Sequence, residues 1–267
     1  MLKSKKILST LLAFIMFVSV GTTAFAVDLR SVSAENSNVL VNSNTDICGE
    51  HVLTPEEYNL YLQGLSEDEQ NKINAKLAKT QKDEQNRINA KLAETQKGAN
   101  QRLAQAATGT KISIPGTFTM YQQETDTYCI PATIKSILMY INGSSPSQST
   151  IASTTGQDPT EIAPYLNDRQ DDCYYVFVSS PSQSTMCSYL YSTIAYTEAP
   201  ASMGISGTTT SNWYYATSGH SLVVNAIYDD YSYIQFGDPL GDKVAGCPYF
   251  YLKSASVANS VCTRIVY

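Results

Sequence analysis

The sequence predicts an α+β domain with a long helical segment ahead of it, and three observations predict this. Composition shifts near Ala107: Ala, Lys, Gln and Glu dominate before it, and Tyr, Ser, Thr, Pro and Gly after it. Early in the second part a helix is expected over 131–140, with Ile134, Ile137, Leu138 and Ile141 on a common face. Later come short strand-like runs at 174–179, 222–228, 231–236 and 249–252, separated by turn residues. Helix early and sheet late is the order of an α+β architecture, here over residues 108–267. A weaker helix is expected from Pro159 or Thr160 to Leu166.

The 267 residues begin with a segment foreign to that fold. Lys3, Lys5 and Lys6 precede an apolar stretch at 7–20, and Ala24-Phe25-Ala26 supplies small residues for a signal peptidase. Residues 1–26 therefore read as a secretory signal, and the protein is expected to be secreted. The apolar stretch is short for a spanning helix of about 20 residues, and no other segment comes close. An integral membrane transporter is excluded.

Residues 27 to about 50 have little apolar periodicity and read as a flexible leader. Thr54-Pro55-Glu56-Glu57 then marks a helix start: Thr54 caps, Pro55 fits the first turn and Glu57 completes a capping box. Good helix formers continue to about Ala107 with no further proline. Within this stretch residues 68–82 recur as 83–97, with 13 of 15 positions identical. Each unit offers one apolar pair, Ile73 with Leu77 and then Ile88 with Leu92. Fifteen residues advance a helix by four turns plus about 60°, so the pair walks around the helix instead of forming one stripe. Such a helix buries little. Residues 27–107 are read as a spacer or stalk, as a pro-segment covering an enzyme's cleft, or as a self-association element through 54–107.

Charge narrows the partners. There are 18 basic and 24 acidic residues, a net of −6, which becomes about −9 once the three signal lysines are removed. No basic run or stripe remains, so nucleic acid is not an expected partner.

The six cysteines lie at 48, 129, 173, 187, 247 and 262, and the two histidines at 51 and 220. In an exported chain, six cysteines read first as three disulfides. Cys129 resists that reading, because it stands immediately before the strongest helix of the domain. A helix N-terminus favours thiolate over thiol. Gln123 lies six residues upstream, within reach of the sulfur through a short loop. His220, the domain's sole histidine, opens a strand-like run, and Asp238 follows the next such run. Two adjacent antiparallel strands would set His220 and Asp238 side by side. A cysteine nucleophile needs these parts: a base, a group that orients the base, and a donor for the oxyanion. Competing readings stay open for each piece: half a disulfide for Cys129, a strand-end histidine, a plain Asp-Pro turn, and a surface amide with Gln122 as the inward one.

The joint pattern resembles a known family. Gln123-x5-Cys129 with Tyr128-Cys129-Ile130-Pro131-Ala132, then Gly219-His220-x-Leu-Val-Val, then Gly237-Asp238-Pro239, is similar to the C39-like branch of the papain-like cysteine peptidases. The resemblance covers about residues 117–240. It implies a papain-like fold, with a nucleophile helix packed on an antiparallel sheet, and a C39-like peptidase domain over 108–267. It implies Cys129 as nucleophile, His220 as base, Asp238 as its orienter and Gln123 as oxyanion donor, acting on a peptide or protein through an acyl-enzyme. Ile130 departs from the glycine many members carry there, which bears on pocket shape. Members that process bacteriocins are fused to a membrane exporter and cut after a double glycine. This sequence has no membrane domain, so that substrate does not carry over. Rival functions are a peptidoglycan stem-peptide hydrolase, a transpeptidase using the same site, and a non-catalytic surface interaction module.

With Cys129 set aside, Cys173, Cys187, Cys247 and Cys262 are expected to form two local disulfides, 173 with 187 and 247 with 262, leaving Cys48 unplaced. No CxxC or close His-Cys pair exists, so no metal is expected, and no cofactor is implied. His51 is expected to be solvated. Trp213 and Tyr215, shortly before His220, are candidates for the wall of a substrate groove, with core packing as the alternative.

Overall fold

The computed structural model describes residues 49–98 and 109–267. The expected signal, Cys48 and most of the expected leader lie outside the described residues. The first helix, α1 (Pro55–Gly64), starts on the capping box read from the sequence. The Thr54 hydroxyl accepts from the Glu57 amide, and the Glu57 carboxylate accepts from the Thr54 amide at 2.8 Å. After a break at Leu65 and Ser66, α2 (Glu67–Gly98) carries both repeats in one 32-residue helix.

Helix α2 is not a projecting stalk. It lies along the domain, and the 60° rotation between repeats decides which side chains touch it. Ile73 and Leu77 pack on the hydrophobic core, whereas Ile88 and Leu92 in the second repeat are 40 % and 55 % exposed. There the contact becomes polar. Arg87 donates to the Asp229 carbonyl at 3.0 Å while pairing with Glu84, and the Tyr231 hydroxyl donates to Glu84 at 2.6 Å. In the first repeat the Lys76 ammonium donates to the carbonyls of Tyr174 and Tyr267.

The domain itself mixes helices with a fully antiparallel sheet. In chain order its elements are β1 (Lys111–Ser113), α3 (Cys129–Asn142), α4 (Gln148–Thr155), a 3-10 turn (Pro159–Glu161), α5 (Ile162–Asn167), β2 (Phe177–Ser179), α6 (Gln183–Ser192), β3 (Ala201–Ile205), β4 (His220–Tyr228), β5 (Tyr233–Gly237), β6 (Phe250–Ser254), α7 (Ala255–Val261) and β7 (Cys262–Val266). The strands run in the order β2-β7-β3-β4-β5-β6, and β1 pairs with the far end of β4. Strand β4 is central, and its register sets Ile205 opposite His220 on one side and Gly237 opposite Val223 on the other. His220 thus opens β4 at the edge where β5 ends, one residue before Asp238.

Helix α3 packs on this sheet through the face read from its periodicity. Ile134, Ile137 and Leu138 of that face are buried and Ile141 is half-buried, with Ile130 buried beside them, each buried side chain worth roughly 1.5–3 kcal/mol of transfer from water. Gly143 ends the helix in the left-handed region at φ 69° and donates to the Met139 carbonyl, a cap that costs glycine nothing. The Thr133 hydroxyl donates to the Ser221 carbonyl at 3.2 Å, fastening the helix to the strand that carries His220.

Helices α4 and α6 go beyond the sequence expectations. Both are rich in Ser and Thr, poor interior helix formers, and each begins inside the same seven residues, SSPSQST, at 144–150 and 179–185. Ser147 and Ser182 act as the caps, accepting from the amides of Thr150 and Thr185. The signal was in the sequence as a repeated cap rather than as an apolar stripe.

Candidate active site

Cys129 is the first residue of α3. The residue before it, Tyr128, provides no side-chain cap, in contrast to the Thr and Ser caps of α1, α4, α6 and α7. The first-turn amides of α3 are therefore left uncapped by a side chain at the sulfur. Pro131 has no N–H and the Ala132 amide donates to the Tyr128 carbonyl, so the amides of Cys129 and Ile130 carry the partial positive charge that favours a thiolate.

His220 is wholly buried and sits between two partners. Its Nε2 lies 2.9 Å from Asp238 Oδ1, and the Cys129 sulfur is near enough to the ring to stabilise its charge, while Nδ1 is buried with no hydrogen bond of its own among the described residues. With Nε2 committed to Asp238, Nδ1 is the nitrogen left to face the sulfur. Burial alone would push the imidazole toward its neutral form. The Asp238 carboxylate and the Cys129 sulfur outweigh burial and lift the pKa from 6.5 to about 9.

Asp238 is held as a carboxylate despite complete burial, which works against its charge. The His220 ring and the hydroxyls of Tyr215 and Tyr251 keep its pKa below the ordinary value. Tyr215 and Tyr251 donate to Oδ2 at 2.6 and 2.7 Å, and the Leu240 amide donates to Oδ1 at 2.8 Å. The Cys247 thiol approaches Oδ2 at 3.6 Å. Trp213 Nε1 donates to the Tyr251 hydroxyl at 3.0 Å, so the support extends one side chain further.

Gln123, not Gln122, is the buried amide of the pair. Its backbone N–H donates to the Pro239 carbonyl at 3.0 Å, tying its loop to the residue after Asp238. Its side-chain Nε2 donates to the Thr125 carbonyl at 2.9 Å. Gln122 instead donates to the Gly241 carbonyl. The buried Gln148 of α4 clamps the loop by bonding the Gln122 carbonyl and the Glu124 amide. Cys129, His220 and Asp238 are thus brought together by α3, β4 and the end of β5, and Gln123 joins them through the backbone bond of its clamped loop to Pro239.

Two expectations are corrected. Trp213 and Tyr215 do not wall a groove: they are 3 % and 6 % exposed and stand behind Asp238. Their place shortly before His220 returns them to its own side of the sheet, where their polar tips serve the carboxylate. The expected disulfides 173–187 and 247–262 are also absent, since all four sulfurs are thiols. Each has a separate setting. Cys173 bonds within its loop to Gln170, Cys247 leans on Asp238, and Cys262 donates to the Arg264 carbonyl. Burial pushes the Cys187 thiol on α6 up to about 12. Proximity in sequence was a poor guide because β2 and the start of α6 lie between Cys173 and Cys187, and β6 and α7 lie between Cys247 and Cys262.

Sequence reasoning missed three residues near the centre. Tyr251 on β6 is one. The others are Glu50, ahead of α1, and Arg264 on β7, which meet in a buried two-pronged ion pair. Arg264 Nε and a terminal nitrogen lie 2.8 and 2.6 Å from the two oxygens of Glu50. Glu50 is close enough to interact electrostatically with both Cys129 and His220. An arginine inside the apolar run Cys262–Val266 was the available signal.

Among the described residues no group of His, Cys, Asp and Glu could hold a metal ion, and no helix is long and apolar enough to cross a membrane. No protein-family model matches the chain, and no curated protein matches it. Among solved structures it is similar to xylellain, a cysteine protease from Xylella fastidiosa, at 12 % identity and a TM-score of 0.41. That overlap covers 60 % of this chain and 86 % of that one.

Proposed function

We propose that the chain is a secreted cysteine peptidase of papain-like, C39-like design. The observation that carries this reading is the line Cys129–His220–Asp238, with the thiol at an uncapped helix N-terminus and the imidazole lifted to about 9. An imidazole that holds its proton at neutral pH beside such a thiol favours the thiolate–imidazolium pair.

The thiolate attacks the carbonyl carbon of a peptide bond, forming a C–S bond as the carbonyl oxygen takes the negative charge. Gln123 and a backbone N–H at Cys129 or Ile130 are assigned as the donors to that oxygen. The tetrahedral intermediate collapses, the C–N bond breaks, and the His220 proton leaves with the amine. Neutral His220 then takes a proton from water as it attacks the thioester. The acid product departs and the sulfur returns as thiolate beside imidazolium. Asp238 keeps the ring oriented and its cation stabilised throughout.

Digesting a peptide mixture with the full chain, and with a Glu50→Ala variant that loosens the contact beside the sulfur, tests this reading by mass spectrometry. New termini are expected, and Cys129→Ala or His220→Ala should abolish them. Undiminished cleavage by Cys129→Ala would exclude the mechanism.

A further inference from the structure

Residues 49–51 form a short strap joining the two sides of the site. The Glu50 amide donates to the Gly219 carbonyl at 3.2 Å, one residue before His220. Gly49 pairs with Gly219 in a parallel bridge. On the helical side the His51 amide donates to the Gln157 carbonyl at 3.1 Å, just past α4. These are extended-backbone contacts of the kind by which a bound peptide is gripped. A side chain on Gly219 would begin 1.9 Å from the Glu50 carbonyl oxygen, so the approach requires glycine there. Beyond Gln157 a shallow groove of about 400 Å³ continues past Tyr128 and Ala152.

The Glu50 side chain enters a built receptacle. Arg264 forks onto its carboxylate and is held in place by the hydroxyls of Ser202 and Ser221, both at 2.8 Å. Gly204 opens the space: a Cβ there would sit 2.4 Å from Glu50 Oε1. Burial works against the Glu50 charge, and Arg264 only partly offsets it. A buried ion pair of this sort is a poor way to gain stability and a good way to impose selection. A planar fork, two orienting hydroxyls and a cleared floor are what carboxylate recognition requires.

We infer that Arg264, with Ser202, Ser221 and Gly204, is a specificity pocket for an acidic side chain of a peptide substrate, and that Glu50 fills it in cis as a substrate residue would. The inference rests on the peptidase reading for the reaction but not for the binding. Substrate peptides then carry glutamate at the position that seats against Arg264. The strap must leave before such a peptide enters.

The test uses the full chain and alkylation of Cys129 by iodoacetamide, located by peptide mapping. Glu50→Ala and Glu50→Gln should each speed labelling about tenfold or more by raising the fraction of open site. Using both guards against a folding defect in one, with far-UV circular dichroism as the check. A synthetic peptide spanning residues 46–54 should then slow labelling of either variant. Its counterpart with Gln in place of Glu should be weaker by about tenfold, the worth of a charge-assisted bond. Arg264→Gln introduced beside Glu50→Gln should erase the difference between the peptides. Equal protection by the two peptides, or unchanged labelling in both Glu50 variants, would overturn the pocket. Selective protection without cleavage of any peptide would leave the pocket standing and remove the peptidase reading instead.

Discussion

His220 Nε2 and Asp238 Oδ1 lie 2.9 Å apart with both side chains wholly buried. Neither charge would survive alone at that depth. The pair persists because Asp238 collects two phenol hydroxyls and a backbone amide, while His220 faces the Cys129 sulfur. Orientation of the imidazole is thus secured from behind, by groups no substrate touches.

The pH dependence follows from these shifts. The pKa of His220 is raised from 6.5 to about 9, so its paired cation contributes stability fully below about 6.5 and loses it as pH rises through about 9. That of Asp238 is lowered from 3.8, so its contribution is present above that value and lost as pH falls through the lower folded one. Peptide hydrolysis should accordingly fall on an alkaline limb near pH 9. A kcat/KM profile without a limb between about 8 and 10 would contradict the pair.

Asp238→Asn keeps the shape and removes the charge. Activity should drop roughly 10²-fold or more, and the alkaline limb should move from about 9 toward neutral. Rate measurements across pH separate this from a simple loss of fold, which would leave the limb in place on the surviving fraction.

Tyr215→Phe and Tyr251→Phe each delete a donor to a buried carboxylate. Each should cost about 1.5–3 kcal/mol in denaturant unfolding. The Tyr251 change also strips an acceptor from the Trp213 indole, so its cost should be no smaller than that of Tyr215.

The two repeats, near-identical in sequence, should differ in effect. Ile73→Ala with Leu77→Ala should destabilise by about 1 kcal/mol per site, because both pack on the core. Ile88→Ala with Leu92→Ala should stay within about 0.5 kcal/mol, as expected for exposed positions. A thermal-shift comparison of the two double variants decides it.

The parts of the fold with strong periodicity were legible in the sequence. Helix α3, strands β4, β5 and β6, and the capping box of α1 lie where apolar spacing and cap residues put them. The pairing of His220 with Asp238 was legible too, since strand ends fix neighbours in an antiparallel ladder. Strands β3 and β7 were not, because Ala-Ser-Met-Gly-Ile and Cys-Thr-Arg-Ile-Val are short and carry small or charged residues inside the core. Arg264 illustrates the difficulty: it is buried only because Glu50, 214 positions earlier, comes to meet it. The residues 27–50 expected to be a flexible leader end, at 49 and 50, in contacts on the site itself. An arginine in an apolar run signals a buried charge, but no local pattern names its distant partner.

The central claim is that Cys129 is a nucleophile prepared by His220. Its most direct test is the intact mass of protein quenched by acid during turnover of a peptide substrate, followed by mapping of the adduct. An acyl group on Cys129, present with His220 intact and absent in Cys129→Ala, is the predicted result. Turnover continuing in Cys129→Ala, or an adduct on any other residue, would contradict the account.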